Sequence, residues 1–246
     1  MNTQHQDAIL SQGLGIGLKF YAGSLTNYYA PGTYEIPLQR ALHSCLKTSQ
    51  IFYDIGASMG FFSVLAARIV GELGHVYAFE PVPENVEIIN HNVTVNNFSH
   101  VSIFPVAVSH TQGEGELLLA HHPGGATLAN AGTPPDLKGT LAVQTVCIDD
   151  LVKQQTLKPP AVVKVDVEGA EIDVLHGMIN TIKKYQPILI YEVDDGEKEA
   201  FQRKGEEIAT FLVDLDYKLI HLDPAYPNIP WYVGHVIALP DHSREQ

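Results

Sequence analysis

Basic residues are scarce in this chain: 15 Lys and Arg stand against 28 Asp and Glu, a formal net charge of −13 over 246 residues. A surface of that sign repels phosphate backbones and lacks a basic stripe, so no nucleic-acid partner is expected. Long apolar runs are missing too. None reaches the roughly 18 residues of a membrane span, so no membrane partner is expected. The start, Met-Asn-Thr-Gln-His-Gln-Asp, has neither the basic residues nor the apolar core of a secretory signal. Cysteine is limited to Cys45 and Cys147. They read as separate reduced thiols, and a cytoplasmic location follows as the default expectation. The sequons at Asn92 and Asn97 carry no weight without secretion. Repeats, low-complexity segments and an interdomain linker are also absent, and the length suits one large α/β domain.

What is present centres on the stretch Ile51 to Arg68. A β-rich run, Ile51 to Ile55, carries Asp54 near its end, turns through Gly56-Ala57-Ser58-Met59-Gly60 and continues as a Leu- and Ala-rich helical segment. Strand, glycine turn and helix form the opening unit of a nucleotide-type α/β fold, whose ligands sit at the carboxyl ends of parallel strands. Gly56 and Gly60 permit a tight turn and bare backbone N–H groups, and the new helix offers its partly positive N-terminus to a carboxylate. The third glycine of the dinucleotide fingerprint is missing, since Phe61 follows Gly60. An acid at the turn suits a cationic ligand better than a pyrophosphate. S-adenosylmethionine, with its ammonium and sulfonium, is such a ligand.

The next units follow the same plan. His75 to Phe79 reads as a strand ending at Glu80-Pro81, with Glu80 placed to accept hydrogen bonds from ribose hydroxyls. Pro83 to about Asn97 reads as a helix and His100 to Phe104 as the third strand. Val106 and Ala107 just beyond it offer either a flat wall for an adenine ring or ordinary core. Residues 114–119 read as a further short strand. Residues 120–139, rich in Gly and Pro, read as an irregular cover bearing His121 and His122. Ala142 to Val146 resumes strand character before a short helix. Ala161 to Val165 then forms the fourth strand, ending in Asp166-Val-Glu-Gly-Ala-Glu171, with one helix to about Lys184. Ile188 to Glu192 is the fifth strand. A helix from about Lys204 to Leu215 and strands at Tyr217–His221 and Trp231–Ala238 complete the domain. Residues 1–50 form a Tyr-rich leader with a helix from about Glu35 to Leu46. It packs on the sheet or contributes to a substrate pocket, while residues 51–246 form the main domain.

Asp54-Ile-Gly-Ala-Ser-Met-Gly-Phe-Phe-Ser, Val76-Tyr-Ala-Phe-Glu-Pro, Val163-Lys-Val-Asp-Val-Glu-Gly-Ala-Glu and Pro187-Ile-Leu-Ile-Tyr-Glu resemble the FkbM family of S-adenosylmethionine-dependent methyltransferases. The Asp-Val-Glu-Gly-Ala-Glu block is the most specific of these. Ser58 departs from the Asn common in the family. The resemblance implies a Rossmann-like class I methyltransferase fold: a seven-stranded, mostly parallel sheet with helices on both faces and an antiparallel last strand. It also implies methyl transfer to a hydroxyl of a sugar, polyketide or similar metabolite. The cofactor-binding candidates are then Asp54, Gly56, Ala57, Ser58, Gly60, Glu80, Pro81, Val106, Ala107 and Asp166.

An alcohol needs a base or a metal to become a nucleophile. Asp166, Glu168 and Glu192 at adjacent strand ends are the catalytic candidates, with His121, His122 and His235 in reserve. The same three carboxylates offer hard oxygen ligands to Mg²⁺ or Mn²⁺, although no metal ligand is assigned. Alternatively Asp166 caps the following helix and Glu168 and Glu171 sit in its first turn. A non-catalytic cofactor-binding protein of the same fold is the competing reading. A homo-oligomer is compatible with either.

Overall fold

The main sheet is assembled from short β-branched and aromatic runs, each closed where a glycine, proline or carboxylate ends ladder pairing. The structure is a computed structural model describing residues 6–120, 126–129, 137–226 and 229–241. Its leader holds a two-strand pair, β1 (Ala8–Ile9) and β2 (Lys19–Phe20), then a 3-10 turn at Gly23–Leu25, α1 (Thr26–Tyr29) and α2 (Ile36–Cys45). Two strand–helix units and a third strand follow: β3 (Ile51–Ile55), α3 (Phe61–Val70), β4 (His75–Phe79), α4 (Pro83–Val95) and β5 (Val101–Phe104). The chain then leaves the main sheet through β6 (Ala107–Val108), β7 (Gly113–Ala120), β8 (Ala126–Leu128) and β9 (Leu137–Val146) before α5 (Ile148–Lys153). It returns as β10 (Val162–Val165), α6 (Glu171–His176), α7 (Ile179–Tyr185), β11 (Ile188–Asp195), α8 (Lys198–Val213), β12 (Tyr217–His221) and β13 (Tyr232–Pro240).

The seven-stranded sheet runs β12-β13-β11-β10-β3-β4-β5. The pairs among β11, β10, β3, β4 and β5 are parallel, and β13 runs antiparallel to both its neighbours. This is the α/β architecture the resemblance implied, with the last strand reversed. Strand order changes direction between β3 and β10, the switch point at which the loops beyond two parallel strands diverge and leave a crevice.

Alternation along the strands sorts the core into two layers. Phe52, Val162, Ile190 and Ile237 join α2, α3 and the leader residues Leu10, Phe20 and Tyr29. Tyr53, Val163, Leu189 and Val236 face the other way, onto Leu175, Ile182, Ile208 and Leu212 of α6, α7 and α8. Helices therefore cover both faces. Every polar strand residue of the site described below shares parity with the first set: Asp54, Lys164, Glu192 and His235.

Three sequence expectations need correction. Residues 120–139 are not wholly irregular, because β8 and the first three residues of β9 lie in that stretch and pair with β7 in a separate sheet ordered β6-β9-β7-β8. Glycine and proline content masked a hairpin whose Leu117, Leu128 and Val143 form their own small core. His121 and His122 lie outside the described residues. The single helix expected up to Lys184 is broken between α6 and α7. A Cβ at Gly177 would meet the Ser109 carbonyl oxygen at 2.2 Å, and Asp149 caps the new start by accepting the Asn180 and Thr181 N–H groups at 2.9 and 2.7 Å. Finally, α8 begins at Lys198 rather than near Lys204, since Phe201, Ile208 and Phe211 extend its apolar stripe onto the second core layer.

Candidate active site

The turn after β3 is shaped by backbone contacts to both neighbouring strands. Gly56 and Ala57 donate N–H bonds of 3.0 Å each to the Phe79 carbonyl at the end of β4. Gly56 adopts φ +78, and a Cβ there would lie 1.7 Å from the Asp166 carbonyl oxygen, so the β3 and β10 exits touch backbone to backbone. Ser58 holds φ +49, a left-handed conformation that Asn tolerates better than Ser; that accounts physically for the Asn the family commonly places there. Gly60 (φ +80) packs against Ile89 of α4 and starts α3.

Glu80 closes β4 and is buried. Its Oε2 accepts the Ser58 N–H at 2.8 Å, and its Oε1 accepts the Val82 N–H at 2.9 Å and the Asn85 amide at 3.2 Å. Burial pushes its carboxyl up to about 7, against these bonds. Glu80 thus ties the glycine turn to the start of α4, and Oε2 keeps a lone pair for a ribose hydroxyl. Pro81 continues from it. Val106 follows β5, its N–H bonded to the Phe104 carbonyl at 2.9 Å. Ala107 is buried in the small second-sheet core beside Ala170, which favours its core reading over an adenine wall.

Lys164 is the residue the sequence reasoning missed. It sits opposite Asp54 in the β10–β3 register and is 5% exposed. Its Nζ lies 2.7 Å from Asp166 Oδ2 and 4.0 Å from Asp54 Oδ1, and 5.2 Å from the centre of the Phe62 ring. Burial works against its charge, yet Asp166, Asp54 and Glu35 outweigh that and hold its pKa above lysine's usual value. Asp54 is fully buried; it accepts the Ser63 hydroxyl at 2.6 Å while Oδ1 has no hydrogen-bond partner. Burial raises its pKa, with Lys164 and Ser63 opposing. Lys164 thus stands as an internal cation beside Asp54, whose Oδ1 stays without a hydrogen-bond partner. The available signal was a lone charge inside the run Val-Val-Lys-Val, which a buried central strand accepts only when it is paired.

The loop after β10 is held by Glu171, whose Oε1 accepts the Val167 and Gly169 N–H groups at 3.2 and 3.0 Å. Asp166 turns to Lys164, two residues back on the same face. Glu168 adopts φ +57, and burial, reinforced by Asp166, raises its carboxyl well above the ordinary range. Asp194 and Asp195, which also end β11, are engaged elsewhere: Trp231 Nε1–H donates to Asp194 at 2.8 Å, and Lys204 pairs with Asp195 at 2.9 Å.

Asp166, Glu168 and Glu192 are near enough to act on one another electrostatically, but among the described residues they are not the group within metal-ligand reach. Glu192 instead meets His235, its register partner on β13, with Nε2 at 2.5 Å from Oε2, and Glu35 from the leader joins them. Burial raises Glu192 well above its ordinary range, reinforced by Asp166 and Glu35. Burial likewise takes Glu35 up to about 7 and His235 down to about 4. Tyr226 donates its hydroxyl hydrogen bond to Glu35, and its oxygen is 3.1 Å from the Tyr34 hydroxyl.

The leader therefore reaches the site. Gln39 braces it, donating to the Gly32 and Tyr34 carbonyls at 2.9 and 2.6 Å and accepting the Leu14 N–H at 3.0 Å. Asn92 of the first sequon is buried and bonded to both backbone groups of Tyr21 and to the Met59 carbonyl, so its amide is structural. Tyr29 and Tyr34 line a narrow cavity of about 30 Å³ together with the Gly56–Ser58 turn, Lys164 and Asp166. Cys45 and Cys147 are free thiols. Among the described residues no helix is long and apolar enough to cross a membrane.

Comparison with known proteins agrees with this geometry. The hexuronic acid methyltransferase AglP of Haloferax volcanii is 26% identical over 140 residues, 57% of this chain and 54% of that relative; the chain thus matches about half of the relative's length. Among solved structures, the methyltransferase FkbM from Methylobacillus flagellatus KT aligns with a TM-score of 0.53 at 15% identity, covering 87% of this chain and 52% of that one. A SAM-dependent methyltransferase from Aquifex aeolicus aligns with a TM-score of 0.52 at 14% identity, covering 88% and 96%. At these identities the two structures establish the class I methyltransferase fold. The family model described as the methyltransferase FkbM domain matches residues 54–219, from the acid of the glycine turn to β12, and the chain belongs to the FkbM methyltransferase family.

Proposed function

We propose that the protein transfers a methyl group from S-adenosylmethionine to a hydroxyl oxygen of a saccharide or another small hydroxylated metabolite. The observation that carries this reading is the joining of two sites in one cavity. The strand-end turn Gly56–Ser58 and Asp166 share it with Tyr29 and Tyr34, and Tyr34 leads through Tyr226 to Glu35. The residues fit the cofactor: Asp54 Oδ1 is buried without a hydrogen-bond partner, Glu80 stands where ribose hydroxyls are bound in this fold, and the turn presents bare backbone. When bound, S-adenosylmethionine supplies an electrophilic methyl group.

The chain's own residues hold the acceptor and remove its proton. The tyrosines offer flat apolar faces with hydroxyl edges, a surface suited to a sugar ring. Asp166, Glu168 and Glu192 stand at the carboxyl ends of β10 and β11, and the raised proton affinity of the buried Glu168 and Glu192 makes each a stronger base toward an alcohol. Lys164 orients Asp166, and the leader covers this face and excludes water. Hexuronic acid modification by the Haloferax relative supports a saccharide acceptor.

The test begins with calorimetric titration of S-adenosylhomocysteine, followed by transfer of labelled methyl from S-adenosylmethionine to a panel of saccharides that includes hexuronic acids. Micromolar binding with label on an oxygen bears the reading out. No binding to folded protein would favour the non-catalytic reading, and label on nitrogen or carbon would overturn the hydroxyl assignment. Glu168→Gln and Glu192→Gln should lose turnover while keeping cofactor affinity; full activity in either removes that residue from the mechanism.

A further inference from the structure

Three groups from distant parts of the chain meet beside Tyr226, which bonds to Glu35 and packs its ring near His235. Glu192 and His235 face each other across the β11–β13 ladder. Glu35 arrives from the residue preceding α2, held at φ +45. One ligand atom of each lies within 4.8 Å of the other two.

Two of these buried groups have polar atoms that the protein leaves unsatisfied. Glu35 Oε2 and His235 Nε2 have no hydrogen-bond partner, on residues 4% and 3% exposed. Nε2 lies 2.5 Å from Glu192 Oε2 but outside hydrogen-bond geometry. Buried polar atoms are nearly always satisfied, so two orphans aimed at one point call for a ligand. The charge is also unbalanced. Asp166 raises the proton affinity of Glu35 and of Glu192, Glu35 adds to that of Glu192, and Lys164 opposes the effect at Glu35.

We propose that Glu35, Glu192 and His235 bind one divalent first-row transition-metal ion, Mn²⁺ or Zn²⁺, next to the Tyr34–Tyr226 pair. Two carboxylate oxygens and one imidazole nitrogen form a mixed donor set, which suits these ions better than the all-oxygen preference of Mg²⁺ or Ca²⁺. The three ligand atoms lie within 4.8 Å of one another, and rotation of the two carboxylates adjusts them to one coordination shell. The Tyr226 hydroxyl, bonded to Glu35, orients that ligand from the second layer. Three protein ligands leave open positions. Given the transfer reaction proposed above, an acceptor hydroxyl at one of them is acidified by the ion.

Metal binding is measured without cofactor or acceptor, which separates it from the methyl-transfer reading. Chelator-treated full-length protein is titrated with Mn²⁺ by electron paramagnetic resonance and with Zn²⁺ by calorimetry. The expected result is one ion per chain, weakened at least about tenfold in Glu35→Gln, Glu192→Gln and His235→Gln, with S-adenosylhomocysteine affinity retained. Should a variant fail to fold, wild-type protein answers alone: Mn²⁺ must broaden the His235 and Tyr226 resonances selectively. The proposal is overturned by absence of saturable binding, by unchanged affinity in the folded variants, or by sharp resonances at these two residues. An intact metal site without S-adenosylhomocysteine binding would sink the transfer reading and leave this one standing.

Discussion

Replacing Lys164 by Met tests whether this lysine sets the electrostatics of the site. The substitution keeps most of the apolar stem packed against Phe62 and removes a charge 2.7 Å from Asp166 and 4.0 Å from Asp54. With an effective dielectric of about 20, the two attractions come to about 6 and about 4 kcal/mol in gross Coulomb energy. Desolvation of three charges cancels most of that, and breaking a buried pair by deleting one partner costs about 3–5 kcal/mol net. Loss of the cation also lets Asp54 bind a proton more tightly in the folded state. A folded-state carboxyl pKa raised above its unfolded value contributes stability that is present at acid pH and lost as pH rises. The penalty should therefore be largest above neutrality and shrink toward pH 5. Urea unfolding of wild type and Lys164→Met at pH 5 and pH 8 reads this out. The double variant with Asp166→Asn should recover part of the loss at pH 8. A loss below about 1 kcal/mol at pH 8, or an equal loss at both pH values, would refute the coupling, since both outcomes require the charges to be solvated.

Two other perturbations probe the loops beside it. Gly56→Ala must accommodate a left-handed φ of +78 and a contact of 1.7 Å with the Asp166 carbonyl; the expected loss is about 3–5 kcal/mol from strain plus overpacking, measured by urea unfolding, and a change below about 1 kcal/mol would mean that the two strand exits separate freely. Glu171 is pushed up to about 7 by burial, from an ordinary value of 4.5. It favours the folded state below its unfolded pKa and loses that contribution as pH rises through about 7. Glu171→Gln keeps an acceptor for the Val167 and Gly169 N–H groups without titrating. It should match wild type near pH 5 and exceed it at pH 8 by up to about 3 kcal/mol; parallel stability curves from pH 5 to pH 8 would contradict this.

The repeating strand, turn and helix units were legible because they are local. Period-two alternation, punctuation by Gly and Pro, and carboxylates at strand ends lie within about a dozen residues of one another. Asp54, Gly56, Glu80 and Asp166 could be placed at the carboxyl end of the sheet for the same reason. The hairpin of β7, β8 and β9 was obscured where loop-forming residues join strands that pair at a distance. The break at Gly177 was hidden because the cause, the Ser109 backbone, lies far upstream.

What the sequence determined by itself is the order of the elements, the parity of each strand and thus which side chains share a face. Alternation alone committed Lys164 to the side of Val162, Glu192 to that of Ile190 and His235 to that of Ile237. Which of them meet was decided by the tertiary structure. Sheet order put Lys164 beside Asp54, the antiparallel register of β13 put His235 opposite Glu192, and the fold of the leader brought Glu35 to Tyr226 across 191 residues. Proximity across such separations depends on how the layers stack, and neither periodicity nor spacing along the chain encodes it.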